Sequence, residues 1–183
     1  MTTRIIGTGS YVPDQIVTND DLARIVETSD EWIRSRTGIG ERRIATADST
    51  SDMAAKAAQA ALDQAGVRAE EIDLILLGTS SPDHCFPNGA CEIQAHIGAV
   101  NAACFDISAA CTGYVFALNT AHAFISTGMY RTALVIGADV LSKLVDWGDR
   151  GTCVLFGDGA GATVVRADER GILGMNMHSE GAK

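Results

Sequence analysis

Large rings are scarce in this sequence. Aromatic residues make up 5% of the 183 positions against 46% hydrophobic residues in all, so a core must be filled mainly by Ala, Ile, Leu and Val. The apolar fraction is ordinary for a globular protein and excludes wholesale disorder. Positive charge is scarce too: 14 Lys and Arg stand against 23 Asp and Glu, a net charge of −9. A general nucleic-acid surface or anionic-membrane surface is excluded on that balance, and an anionic ligand would need a local cluster of arginines. No apolar run approaches the ~20 residues of a membrane span, and the N-terminus carries no signal-peptide pattern. The five cysteines are odd in number and contain no CxxC pair, so neither a disulfide framework nor a zinc site is expected. That usage fits a reducing cytoplasm. The four histidines have no metal-binding spacing, no G-x-S-x-G elbow is present, and no repeat, low-complexity tract or internal linker divides the chain.

What is present is an alternation of strand-like and helix-like segments. Residues 3–8 read as a first strand, and Thr18 to Asp21 as a helix cap before Leu22, Ile25 and Val26. A second capped turn follows at 28–33, then a polar loop over 34–43 holding Arg34, Arg36, Arg42 and Arg43. The clearest helix is 50–65, capped by Thr50 or Ser51, with an alanine face and Gly66 at its end. Residues 72–79 form an apolar run without alternation, as expected of a strand covered on both faces. Further elements are expected as a helix at 88–97, a strand at 102–107, a helix at 111–127 with Val115, Leu118, Ala121, His122 and Ile125 spaced for burial, and a strand at 132–138. Paired strands at 152–156 and 162–166 across a glycine turn at 157–161, then a last strand at 171–177, complete the reading. The fold class is therefore α/β, a layered fold around a mostly parallel sheet, with the late hairpin as an antiparallel edge.

Three stretches bear on chemistry. In Phe105-Asp-Ile-Ser-Ala-Ala-Cys111-Thr-Gly113, a strand ends in small residues, a cysteine follows, and a helical pattern begins. Cys111 is then expected at the first turn of a helix, where backbone N–H groups and the helix dipole favour a thiolate over a thiol of ordinary pKa near ~8.5. The competing reading is a buried cysteine acting as a small hydrophobe. Trp32 beside Arg34, Arg36, Arg42 and Arg43 could hold a phosphorylated, base-bearing ligand, or form a solvated charged loop with Trp32 half-buried. Arg150 could add a second cation or merely pair with Asp149. Gly157-Asp-Gly159-Ala-Gly161-Ala lacks the spacing of a dinucleotide loop and precedes β-branched residues, which makes it a structural turn or a point of close backbone approach. His122 lies about 16 Å of helical rise beyond Cys111, too far to serve as its base.

These stretches and their order resemble the N-terminal half of the β-ketoacyl-[acyl-carrier-protein] synthase III family, condensing enzymes of the thiolase superfamily. The resemblance runs through Ile5 to Tyr11, Thr28-Ser-Asp-Glu-Trp32, Arg36-Thr-Gly-Ile39, Glu41-Arg42, Phe86-Pro87, Ala109-Ala-Cys-Thr-Gly113, Asp149-Arg-Gly-Thr152 and Phe156 to Ala162. It implies a thiolase-like layered fold, one βαβαβαββ half over residues 1–177, with 178–183 starting a connection to a second half. It implies Cys111 as the nucleophile that takes an acyl group from acyl-CoA. Thr28, Trp32, Arg36, Arg150 and Gly151 are implied as coenzyme A contacts, and Phe86, Leu141 and Phe156 as acyl-pocket residues, Phe86 reaching into the pocket of a second subunit. The implied reaction condenses a short acyl-CoA, acetyl-CoA in the first instance, with malonyl-acyl carrier protein, with no permanent cofactor and no metal. The implied setting is a cytoplasmic homodimer whose catalytic His and Asn lie in a C-terminal half beyond residue 183, which would make this chain a fragment. Gly148, before Asp149, departs from the family pattern at the tunnel mouth. A sister condensing enzyme of secondary metabolism, or a non-catalytic CoA-binding or dimerisation fragment, would share these motifs.

Overall fold

The computed structural model describes residues 1–182. From the N-terminus, a strand at Thr2–Tyr11 (β1) leads to a short strand Gln15–Thr18 (β2), a helical turn Asn19–Leu22 (α1), a helix Asp30–Thr37 (α2) and a strand Glu41–Ile44 (β3). The helix Thr50–Ala65 (α3), strand Leu74–Gly78 (β4), helix Gly89–Ile97 (α4) and strand Ala103–Ile107 (β5) follow. The helix Gly113–Ser126 (α5), strand Thr132–Val140 (β6), short helix Arg150–Cys153 (α6) and long strand Asp158–Asp168 (β7) complete the order. Setting aside the excursion between β1 and α3 and the short α6, the order is βαβαβαββ. This is the thiolase-like half that the resemblance implies.

The central sheet runs β1-β7-β6-β4-β5. β4 pairs in parallel with both β5 and β6, while β7 is antiparallel to β6 and to β1. Four strands thus point one way and only β7 is reversed. Every residue of β4 is buried. Ile75 and Leu77 face the layer that contains α3 and α4, whereas Leu74 and Leu76 pack with Ala117, Ala121 and Ile125 of α5. Helices on both faces are the physical reason the strand shows no alternation. Burying each of those four aliphatic side chains contributes about 1.5–3 kcal/mol, an upper figure because the unfolded chain is already partly collapsed.

The alanine face of α3 does what small residues permit. Ser49, rather than Thr50 or Ser51, caps the helix in a capping box with Asp52, and Gly66 closes it in the left-handed region. Asp83 adds a second anchor by accepting from the Thr50 and Ser51 N–H groups at 3.0 and 2.8 Å. Ala57 and Ala61 then lie directly over Gly7 and Gly9 of β1, and a Cβ on either glycine would collide with the helix backbone. The helix can therefore sit on the strand with no side-chain spacer between them.

Four expectations are corrected. The polar loop at 34–43 is instead the end of α2, closed by Gly38 at φ 75°, followed by β3. Residues 152–156 are not a strand, since α6 occupies 150–153. The glycines at 157–161 make no hairpin turn: from Asp158 onward they belong to β7, which lies inside the sheet rather than at an edge. None of them has a positive φ, and Gly157 instead marks a close approach, where a Cβ would lie 3.1 Å from Arg42 Cβ. Residues 171–177 form no strand; only Ile172 is tied back, donating to the Thr3 carbonyl at 2.8 Å. Of the connection expected at 178–183, Lys183 lies outside the described residues.

Candidate active site

Cys111 sits where β5 hands over to α5. The handover is a 3-10 turn, Ala110–Thr112, one step before the α-helix begins at Gly113, not the first turn of the helix itself. Two glycines fix its position. A Cβ on Gly78, at the end of β4, would lie 2.5 Å from the Gly113 carbonyl carbon and 2.7 Å from the Tyr114 nitrogen. The start of α5 thus rests against the strand end, backbone on backbone. Ala110, immediately before the cysteine, has φ 46°, and no other non-glycine residue among those described has a positive φ. Backbone strain of this kind costs about 1–3 kcal/mol and persists only where the surroundings over-determine the conformation.

The burial alternative for Cys111 fails, because the residue is exposed. It lines a cavity of about 300 Å³ with Gly78, Tyr114, Gly137, Asp139, Leu141, Gly157 and Gly159. The small residues around it are glycines contributed by three different strands or their ends. Cys104 and Cys153 are more enclosed than Cys111, whereas Cys85 is also exposed. Burial, together with neighbouring Cys91, pushes the Cys104 thiol up to about 12, and burial pushes Cys153 up as well. No histidine lines the Cys111 cavity. His122 bonds Thr3 Oγ1 at 2.9 Å and His84 meets Glu92 at 2.7 Å, while His178 lies in the irregular tail.

A second cluster forms around Trp32. The guanidinium carbon of Arg36 lies 4.4 Å from the indole centroid, and that of Arg150 lies 4.8 Å from it. Both distances are within the range of cation–π attraction. Arg36 reaches the ring because it is four residues on along α2, on the same helical face. Arg150 comes from α6 and is tied to the same region by donating to the Glu27 carbonyl at 3.1 Å. It does not pair with Asp149, which instead caps α6, accepting from the Gly151 N–H at 2.8 Å and from Thr152 Oγ1 at 2.8 Å. The Gly151 N–H is therefore already engaged. Thr28 stands just before the α2 cap Ser29, and its Oγ1 is buried without a hydrogen-bond partner among the described residues. Arg34 is not part of the cluster: it pairs with Asp30 at 2.8 Å.

Leu141 lines the Cys111 cavity and also a neighbouring cavity of about 260 Å³, formed with Leu144, Val145, Asp146, Thr152 and Phe156. Thr152 follows Arg150 and Gly151 on α6, so this apolar cavity lies between Leu141 and the helix that carries Arg150. Phe86 lines neither cavity and is 85% exposed. Val115, expected to be buried, is 49% exposed at the start of α5.

Two residues escaped the sequence reading, and the place of a third differs from it. Asp158, 5% exposed, accepts from the Ala45 N–H, the Ser142 N–H and Ser142 Oγ, bracing the turn that carries Leu141. Asp139 accepts from Thr79 Oγ1, the Ser80 N–H and Ser81 Oγ beside the Cys111 cavity. Arg42, expected either to hold a ligand or to lie in a solvated charged loop, is instead 5% exposed. The one available signal was Asp158 between two glycines, and it was masked by the likeness to a phosphate loop.

The fold and the site together define a class: one half of a thiolase-like layered fold, with an exposed cysteine at the junction leading into its helix. A family model described as 3-oxoacyl-[acyl-carrier-protein (ACP)] synthase III matches residues 105–181, the segment from β5 to beyond β7. The chain is 62% identical over 178 residues to a β-ketoacyl-[acyl-carrier-protein] synthase III of Clostridium acetobutylicum, covering 97% of this chain and 55% of that protein. It is 56% identical over 182 residues to the enzyme of the same name from Xylella fastidiosa, of which it covers 56%. Among solved structures, 3-oxoacyl-[acyl-carrier-protein] synthase III from Aquifex aeolicus superposes with a TM-score of 0.90 at 54% identity, over 92% of this chain and 55% of that one. Along almost its whole length the chain is similar to β-ketoacyl-[acyl-carrier-protein] synthases III, and it spans about half the length of the curated relatives it matches.

Proposed function

We propose that the protein to which this chain belongs is an acyltransferase that condenses a short acyl-CoA, acetyl-CoA in the first instance, with malonyl-acyl carrier protein. The product is a 3-ketoacyl-carrier protein that starts fatty-acid synthesis, with CO₂ and CoA released. The observation that carries this reading is the exposed Cys111, in a cavity that shares Leu141 with a second cavity beside α6, the helix whose Arg150 meets Trp32. In the first half-reaction the Cys111 thiolate attacks the thioester carbonyl, backbone N–H donors stabilise the oxyanion, and the CoA thiolate leaves with an acyl-cysteine remaining. In the second, malonyl-carrier protein loses CO₂, the resulting carbanion attacks the acyl-cysteine carbonyl, and the Cys111 thiolate is released.

Thr28, Trp32, Arg36, Arg150 and Gly151 hold the nucleotide end of CoA in this reading. Leu141 and Phe156 bound the acyl pocket, and Phe86 reaches the pocket of a second subunit in a homodimer. The exposed Phe86 supports a role outside its own subunit. The base assigned to the second half-reaction, a histidine with an asparagine, belongs to the part of the relatives this chain does not cover; residues 1–177 then form the half that carries the nucleophile. No resident cofactor or metal is required, and the setting is cytoplasmic. The names carried by the relatives favour this assignment over a secondary-metabolic condensing enzyme or a non-catalytic fragment. The test is β-ketoacyl product formation by the full-length protein and its Cys111→Ala variant. Loss of product in the variant is expected, and equal activity in both would sink the assignment.

A further inference from the structure

Arg42 is a cation in the wrong place for its charge. It is 5% exposed, forms no ion pair among the described residues, and is desolvated enough that burial pulls its pKa down. A buried cation without a counter-ion is costly, and a hydrophobic residue would ordinarily fill such a site more cheaply. What Arg42 does offer is a planar fork of donors, able to address several acceptors in fixed directions. Nη1 donates to the Val17 carbonyl at 3.0 Å, and Nη2 donates to Asn19 Oδ1 at 2.7 Å and to the Val154 carbonyl at 3.4 Å. Nε has no partner.

Asn19 passes the connection on. It is 1% exposed, and its Nδ2 donates to Asp30 Oδ1 and to the Ile39 carbonyl, both at 2.8 Å. Asp30 is the first residue of α2, and Ile39 follows the Gly38 cap at its other end. Both ends of the helix that carries Trp32 and Arg36 are therefore pinned to one amide. Val154 directly follows α6, the helix that carries Arg150. The Arg42 fork thus joins the two elements whose side chains meet 4.8 Å apart over the Trp32 ring.

We propose that Arg42, acting through Asn19 and the Val154 carbonyl, is a positioning residue that sets Trp32 and Arg150 in register for recognising the nucleotide end of an acyl-CoA donor. The inference rests on the acyl-CoA reading above and assigns a role to a residue that touches neither the ligand nor Cys111. Recognition of a base requires one of the two side chains to yield while the other stays fixed. In this proposal Trp32 is the fixed partner, because its helix is held at both ends, and Arg150, whose one hydrogen bond among the described residues goes to the exposed Glu27 carbonyl, is the partner that yields.

The experiment compares acyl transfer to Cys111 from acetyl-CoA with transfer from acetyl-pantetheine, which lacks the nucleotide, in the full-length protein. The readout is the ratio of the two second-order rate constants. A merely structural defect lowers the active fraction and cancels in that ratio. Arg42→Lys keeps the charge but not the fork, and should lower the ratio about tenfold, which corresponds to about 1.4 kcal/mol of lost discrimination. Asn19→Asp keeps Arg42 satisfied while setting a carboxylate against Asp30, and should lower the ratio in the same direction if Arg42→Lys does not fold. Trp32→Ala serves as the reference. A ratio unchanged in Arg42→Lys, or in Asn19→Asp where that variant stands in, but lowered in Trp32→Ala overturns the positioning role. A ratio unchanged in Trp32→Ala as well overturns the coenzyme A reading itself.

Discussion

Replacing Gly78 by alanine tests how Cys111 is held in place. Two effects oppose each other. Glycine within a strand is less favourable than alanine by about 0.5–1 kcal/mol, so intrinsic preference alone makes Gly78→Ala stabilising. Against it, the added Cβ would meet the Gly113 carbonyl carbon at 2.5 Å, the Tyr114 nitrogen at 2.7 Å and the Gly113 oxygen at 2.8 Å. All three are backbone atoms, so no side chain can rotate out of the way. Opening a 2.5 Å separation to an ordinary contact of about 3.5 Å moves the start of α5 by about 1 Å. Overpacking of this kind costs about 1–3 kcal/mol, which exceeds the conformational gain. Cys111 lies two residues before Gly113 and moves with it, and a displacement of about 1 Å at a reacting group can cost about a hundredfold in rate. The assay pairs thermal unfolding with the rate of acyl transfer from acetyl-CoA to Cys111. A Gly78→Ala protein as stable as the parent, with an unchanged acylation rate, would refute the claim that this glycine contact positions the nucleophile.

Two further predictions are open to direct measurement. Ala110→Val places a β-branched residue at φ 46° and should destabilise the protein by about 1–3 kcal/mol, while Ala110→Gly should lie close to the parent because relieved strain offsets a looser unfolded chain; chemical denaturation of the two variants decides it. Asp83→Ala removes the anchor of α3 and should cost about 0.5–2 kcal/mol near neutral pH. Burial opposes the Asp83 charge, but hydrogen bonds from Ser51, Thr50 and Ser49 outweigh it and leave the pKa below its ordinary value of 3.8. With the folded pKa depressed, the contribution is present above the unfolded value and is lost as pH falls through the folded one. Parent and variant stabilities should therefore converge only below about pH 4, and a difference that persists at lower pH would count against the anchor.

The regular layers were legible because local pattern and tertiary environment agree in them. The unbroken apolar run of β4 follows from helices on both faces, and the alanine face of α3 from its seat on Gly7 and Gly9. Elsewhere the deciding forces act across the chain. Glycines at 157–161 read as a turn because glycine carries no periodicity. Gly159 and Gly161 form part of a strand because β1 and β6 flank β7 on either side, while Gly157, just before it, admits Arg42. Arg34 and Arg36 read as loop by polarity, although Gly38 after Thr37 was a helix-end signal that would have extended α2. Composition alone gave residues 171–177 strand character, yet Leu173 is wholly exposed and only Ile172 bonds to the sheet edge. At the candidate site, the place of Cys111 followed from a strand-to-helix junction. The meeting of Trp32 with Arg150, more than a hundred residues away, came from resemblance and not from spacing. The buried role of Arg42 could not be read at all, since its acceptors are two backbone carbonyls and an amide from two segments far apart in the chain, at 17–19 and 154.

The central claim is that Cys111 accepts an acyl group from acyl-CoA. Its most direct test is the intact mass and peptide map of the full-length protein after incubation with acetyl-CoA. The account predicts one added acetyl group, carried by the peptide that contains Cys111, and no addition in Cys111→Ala. An unmodified Cys111, or equal labelling of the variant on another thiol, would contradict it.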